Sequence, residues 1–171
     1  MRDAPTLTFV LGGARSGKSR HAEALVEAGA PPWIYLATAQ AFDGEMSARI
    51  EQHRARRGKN WQTHEAPLEV ADFLAQAPEG RPLLLDCATL WLTNVMLAER
   101  DVGAECRRLM DVLQKPRGPW VIVSNEVGSG IVPENALARR FADEAGKLNQ
   151  TIAARADSVL LMVAGIAMRV K

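Results

Sequence analysis

The stretch Gly12-Gly13-Ala14-Arg15-Ser16-Gly17-Lys18-Ser19 holds the parts of a nucleotide-phosphate cradle at the spacing G-x-x-x-x-G-K-[ST]. Its glycines let the chain curl around an anion with no Cβ in the way. Lys18 supplies a point charge for the outer phosphates, and the Ser19 hydroxyl can ligate Mg2+. The flanks agree with this chemistry. Leu7-Thr8-Phe9-Val10-Leu11 reads as a buried strand, and Ser19 to Glu27 reads as a helix. A strand feeding such a loop into a helix aims several backbone N–H groups, and the positive helix end, at one point. A chance glycine-rich turn is the alternative, and both flanks speak against it. The chain is expected to bind a nucleoside triphosphate.

Three other places could do chemistry. Asp86 ends the apolar run Leu83-Leu84-Leu85, at the crevice end of a strand in an open α/β sheet. There it could hold Mg2+ or its water, or it could simply cap the next helix. The loop Asn125-Glu126-Val127-Gly128-Ser129-Gly130-Ile131-Val132-Pro133 could serve a second substrate or merely connect a strand to a helix. On a helix from about Asp43 to Arg57, Glu45, Arg49 and His53 recur at i, i+4, i+8 and share a face, followed by Arg54, Arg56, Arg57 and Lys59. A solvated face with a Glu45–Arg49 ion pair accounts for this. Yet imidazole is also a competent nucleophile toward phosphorus, and a basic cluster beside it would hold polyphosphate. His21 reads as structural or surface, and His64 carries no signal by itself. Cys87 and Cys106 lack C-x-x-C spacing and read as reduced thiols rather than a disulfide or zinc site.

The elements that must position these residues alternate between apolar runs and helical periods, as in an α/β fold with a mostly parallel sheet. Further strands are expected at Trp33 to Ala37, Trp61 to Glu65, Leu83 to Asp86 and Trp120 to Ser124, with Val159 to Val163 as the final core strand. Helices are expected at Leu68 to Ala77, Leu90 to Glu99, Ala104 to Gln114 and Glu134 to Ala156. The 171 residues suit one domain with a short extension at 1–6, and no linker or repeat interrupts them. A net charge of +1 without a polybasic run argues against nucleic acid or an anionic membrane as the main partner. Met1-Arg2-Asp3-Ala4-Pro5 is too short and polar for a signal peptide, and no apolar run approaches a membrane span. A cytoplasmic location is expected.

Taken together, the motifs resemble the bifunctional adenosylcobinamide kinase / adenosylcobinamide-phosphate guanylyltransferase family of cobalamin biosynthesis. The residues carrying the resemblance are Gly12 to Ser19, Tyr35-Leu36-Ala37-Thr38-Ala39, Glu45-Met46 with Arg49-Ile50 and His53, and Thr93-Asn94. They continue with Asn125-Glu126-Val127-Gly128, Gly130 to Asn135, Ala145-Gly146 and Asn149-Gln150, so that nearly the whole chain is covered. The resemblance implies a P-loop NTPase fold of the RecA-like branch and a homotrimer with nucleotide sites near subunit boundaries. It implies phosphorylation of adenosylcobinamide, with ATP or GTP as donor. Transfer of GMP from GTP to adenosylcobinamide phosphate then releases pyrophosphate. His53 matches the histidine that carries GMP in the family. Matching the family's GTP contacts are Gly12, Gly13, Ala14, Arg15, Ser16, Gly17, Lys18, Ser19, Ala37, Thr38, Ala39, Arg54, Ala55, Arg56, Arg57, Glu65 and Asp86. Ser19 and Asp86 are then the expected Mg2+ residues, and Asn125 and Glu126 the expected substrate-loop residues. Two other classes stay open on residues alone: a P-loop kinase with a single activity, and a regulatory or assembly ATPase.

Overall fold

A computed structural model of the chain describes residues 6–40, 44, 47–48, 50–51, 55 and 57–171. Seven strands form a single sheet in the order β3-β2-β4-β5-β1-β6-β7. They are β1 (Leu7–Gly12), β2 (Trp33–Ala37), β3 (Trp61–Glu65), β4 (Leu83–Asp86), β5 (Trp120–Asn125), β6 (Ser158–Val163) and β7 (Ile166–Arg169). The first six run parallel, and β7 pairs antiparallel with β6. Five helices have defined bounds: α1 (Lys18–Glu27), α2 (Val70–Gln76), α3 (Ala88–Leu97), α4 (Val102–Leu113) and α5 (Ala136–Arg155). Gly44, Ser47, Ala48, Ile50, Glu51 and Ala55 are also helical, in agreement with the helix expected there.

The side-chain period of two along a strand explains why both sheet faces are covered. Leu7, Phe9, Ile34, Leu36, Leu83, Leu85, Trp120, Ile122 and Val159 point to one face, where α2, α3, α4 and α5 pack. Val10, Tyr35, Leu84, Val121, Val123 and Met162 point to the other, against Ala22 and Val26 of α1. The central strands therefore read as continuous apolar runs. Edge strand β3 does not: after Trp61 its residues Gln62, Thr63, His64 and Glu65 are all exposed, and their polarity discourages pairing with another chain.

The strands expected at Trp33–Ala37, Trp61–Glu65 and Leu83–Asp86 have those bounds, and the others differ by a residue at an end. One element has no counterpart among these expectations. Val159 to Val163 is the final core strand, but beyond it the chain reverses at Ala164 and Gly165 and returns as β7, whose residues are all exposed. Both turn residues have positive φ (51° and 80°), the conformation that fits a two-residue hairpin to the sheet twist.

Candidate active site

The register of the sheet assembles the site. Gly12 lies level with Asn125 and with Met162, Asp86 with Val123, and Ala37 with both Asp86 and Glu65. Residues scattered from 12 to 125 thus share the C-terminal edge of the parallel strands, where open α/β sheets bind ligands.

The phosphate loop springs from the centre of that edge. A Cβ on Gly12 would overlap Ser16 Oγ and stand 3.1 Å from Met162 Cβ, so only glycine lets the loop fold this tightly. Gly17 has φ +91°, and an added Cβ would lie 3.2 Å from Gly165 Cα. The β6–β7 turn therefore packs on the loop, and Gly165 N–H donates to Ser16 O at 2.9 Å. Helices α3, α4 and α5 each begin with a side chain accepting from their first amides: Cys87, Asp101 and Asn135 respectively. Helix α1 follows Gly17 with no such side chain, leaving its first N–H groups for a ligand. Lys18 Nζ donates to Gly13 O at 2.9 Å across the loop. Burial pushes its amine below the ordinary lysine range, partly offset by Cys87 and Asp86 nearby. Ser16 Oγ is buried without a hydrogen-bond partner among the described residues. An orphan buried hydroxyl in the loop that opens an uncapped helix fits a site shaped for an anion.

Asp86 is not a helix cap. The cap of α3 is Cys87, whose Sγ accepts from Leu90 N at 3.5 Å. The Asp86 carboxylate instead accepts from the Tyr35 hydroxyl at 2.8 Å, one strand away. Burial, and then the charge of Asp86, hold the Tyr35 phenol protonated far above its usual range, so it remains a donor. The Arg57 guanidinium lies over the same ring, 3.5 Å from its centroid. Tyr35 belongs to the motif quoted above, yet nothing in the sequence assigned it a partner. Cys87 is fully buried and its thiol is pushed up to about 11, chiefly by burial. That removes it from nucleophilic chemistry near neutral pH. Among the described residues no cluster of three His, Cys, Asp or Glu side chains forms a metal cage. Ser19 at the start of α1, together with Asp86, suits Mg2+ shared with phosphates, since that ion rarely uses an all-protein cage.

Thr38 is buried, and its hydroxyl is spent on Cys87: it donates to the carbonyl and accepts from the amide, both at 2.8 Å. Asn94 Nδ2 then donates to Thr38 O at 2.8 Å and Pro67 O at 2.9 Å. Thr38 and Asn94 thereby fasten the ends of β2 and β3 to α3. Asn125 Nδ2 donates to Thr89 Oγ1 at 3.0 Å, and Asn149 Nδ2 of α5 donates to Asn125 O at 3.1 Å. Glu126 turns its carboxylate onto its own loop, accepting from Gly128 N at 2.7 Å and Ser129 N at 3.2 Å. Hydrogen bonds from Ser129 and Gly128 hold it below the usual glutamate range. Glu65 is exposed at the end of β3, and His64 packs its ring against Phe73 at 4.9 Å. His53, Arg54 and Arg56, like Glu45 and Arg49, lie outside the described residues.

Residues 8–170 match the family model described as cobinamide kinase / cobinamide phosphate guanyltransferase. The chain is 49% identical over 166 residues to the bifunctional adenosylcobalamin biosynthesis protein CobP of Pseudomonas aeruginosa, covering 95% of this chain and 96% of that one. It is 43% identical over 185 residues to the bifunctional adenosylcobalamin biosynthesis protein CobU of Salmonella typhimurium, covering 96% and 99%. Among solved structures, the RadB recombinase aligns with a TM-score of 0.54 at 18% identity, over 92% of this chain and 74% of its own. An ATPase of a bacterial type III secretion system aligns with a TM-score of 0.53 at 10% identity, over 96% and 56%. These distant likenesses concern the fold alone, which is that of the P-loop NTPases.

Proposed function

The chain belongs to the cobinamide kinase / cobinamide phosphate guanyltransferase family, and we propose that it carries out both reactions through a GMP–His53 intermediate, as one catalytic domain spanning 1–171. In the kinase step, adenosylcobinamide takes the terminal phosphoryl group of ATP or GTP on its hydroxyl. In the transfer step, His53 attacks the α-phosphorus of GTP, forming a P–N bond as the bond to the departing pyrophosphate breaks. A phosphate oxygen of adenosylcobinamide phosphate then attacks the same phosphorus. The P–N bond breaks and adenosylcobinamide-GDP leaves.

The observation that carries this reading is the cradle itself: the uncapped start of α1, Lys18 and the orphan Ser16 hydroxyl converge where Asp86 ends β4. Backbone amides and Lys18 would take the charge of the outer phosphates, with Arg54, Ala55, Arg56 and Arg57 completing the nucleotide contacts. Mg2+, held by Ser19 and Asp86, would neutralise charge on the departing phosphates. Asn125, pinned by Thr89 and Asn149, and the loop shaped by Glu126 would position the corrinoid. The carboxylate of Glu126, with both oxygens engaged and its proton affinity lowered, favours that positioning role over proton transfer. Assembly as a cytoplasmic homotrimer is part of the same reading. The apolar side chains Ile166, Met168 and Val170 exposed at the sheet edge offer a surface for contact between subunits. Among the described residues no helix is long and apolar enough to cross a membrane.

Incubation with GTP labelled at the α-phosphorus tests the transfer reading. Protein-bound GMP, labile in acid and stable in alkali, should form and should vanish in His53→Ala, whose kinase step persists. Loss of His21 or His64 should leave the label in place. An adduct on either of those residues, or undiminished label in His53→Ala, overturns the assignment. A wild-type chain that phosphorylates a metabolite but never acquires GMP would instead be the single-activity kinase.

A further inference from the structure

Two opposite charges meet around one aromatic ring at the edge of the crevice. Arg57 lies 3.5 Å over the Tyr35 ring, and Asp86 accepts from the hydroxyl of that ring at 2.8 Å. A guanidinium and a carboxylate that share one ring as neighbour are a natural match for a direct, bidentate pair. They do not join: among the described residues Arg57 forms no ion pair, and its Nε and Nη1 are buried without hydrogen-bond partners. Among the described residues, no hydrogen bond reaches the second oxygen of Asp86. Tyr35 itself is braced, with the Trp61 ring set edge-on at 6.0 Å and 79°, and Trp61 Nε1 donating to Glu27 at 2.9 Å. The ring therefore has little room to swing and release either partner.

We propose that Tyr35 is a positioning residue that keeps Arg57 and Asp86 from neutralising one another, its ring face carrying the guanidinium and its hydroxyl holding the carboxylate. Both groups thereby remain available, Arg57 to a phosphate and Asp86 to the divalent cation that accompanies it. The proposal rests on the reading of this crevice as a nucleotide site. Its two halves separate by substitution. Tyr35→Phe keeps the ring and loses only the clamp on the carboxylate. Tyr35→Leu also removes the ring, so that Arg57 and Asp86 can pair.

The test uses the full chain and two binding measurements that need no turnover: Mn2+ binding in the presence of GTP, read from the free-ion electron spin resonance signal, and GTP binding in EDTA by calorimetry. Tyr35→Phe should weaken Mn2+ at least about tenfold, the usual scale for an outer-shell partner, and leave metal-free GTP affinity within about twofold. Tyr35→Leu should weaken both. Adding Asp86→Asn to Tyr35→Leu should restore metal-free GTP affinity by more than Asp86→Asn raises it in the wild-type background, which simple loss of packing cannot do. Unchanged Mn2+ affinity in a folded Tyr35→Phe overturns the clamp. Equal restoration in the two backgrounds overturns the spacer. Should Tyr35→Leu fail to fold, Tyr35→Phe alone decides. A wild-type chain that binds neither GTP nor Mn2+–GTP would refute the nucleotide site itself, whereas binding with an indifferent Tyr35→Phe refutes only the role of Tyr35.

Discussion

Asn94 should be one of the costliest single polar residues to lose, although it is expected to touch no ligand. Its side chain is 5% exposed, and its Nδ2 donates to Thr38 O at 2.8 Å and Pro67 O at 2.9 Å. Asn94→Ala leaves both backbone carbonyls inside the protein without that donor. An unsatisfied buried acceptor costs about 1–3 kcal/mol; about 2 for the fully buried Thr38 carbonyl and about 1 for that of the half-buried Pro67 give about 3 kcal/mol. For a chain of this size each kcal/mol lowers the thermal midpoint by about 2–4 °C, so a fall of about 9 °C is expected. Asn94→Asp separates this cause from cavity formation. It keeps the volume but turns a donor into an acceptor facing two carbonyls, so its midpoint should fall at least as far. Urea unfolding followed by tryptophan fluorescence, together with a thermal melt, measures both variants. Trp91, buried on the same helix with its Nε1 donating to Leu68 O at 3.0 Å, reports on this region. A folded Asn94→Asp whose midpoint lies within about 2 °C of wild type would refute the reasoning.

Lys18→Ala removes a cation from the phosphate loop and should weaken GTP binding about 10- to 100-fold, the equivalent of one charge-assisted hydrogen bond, with both reactions suppressed; near-wild-type rates in a folded variant would break the shared-site reading. Glu126→Ala should loosen the loop it ties at Gly128 and Ser129, raising KM for adenosylcobinamide several-fold with less effect on kcat, and steady-state constants unchanged from wild type would count against a substrate loop. Asp157 accepts from Thr6 N, Thr6 Oγ1 and Leu7 N, and the bonds from Leu7 and Thr6 hold its carboxyl below the ordinary range. A lowered native pKa means that this stability is present above the unfolded value of about 3.9 and is lost as pH falls through the native one. Asp157→Asn should therefore cost roughly 1 kcal/mol at pH 7, after allowance for solvent exposure. The gap to wild type should close below about pH 4 in urea melts, and a gap that widened in acid would contradict the assignment.

Local chemistry was largely written along the chain. Gly12 to Ser19 announces its loop because tight curvature, charge and hydroxyl must come from neighbouring residues. The runs at Trp33 to Ala37 and Leu83 to Asp86 announce buried strands because parallel strands covered on both faces have no polar side to show. The hairpin at Ala164 and Gly165 left only a faint signal, an apolar run followed by a glycine two residues on. Long-range pairings left none. Asp86 could be a metal residue or a cap by composition. The choice depends on Tyr35, 51 residues away, and on Cys87 taking the cap. The same holds for Thr38, whose hydroxyl turns inward to Cys87 once β2 and β4 lie side by side. The difference is physical: propensity and spacing act within a few residues, whereas strand order and register set which distant side chains share an edge. By itself the amino-acid sequence determined the phosphate loop, the six parallel strands and the family. The neighbours of Asp86, Arg57 and Asn94 were decided when seven strands took the order β3-β2-β4-β5-β1-β6-β7 and the buried polar groups had to find partners across it.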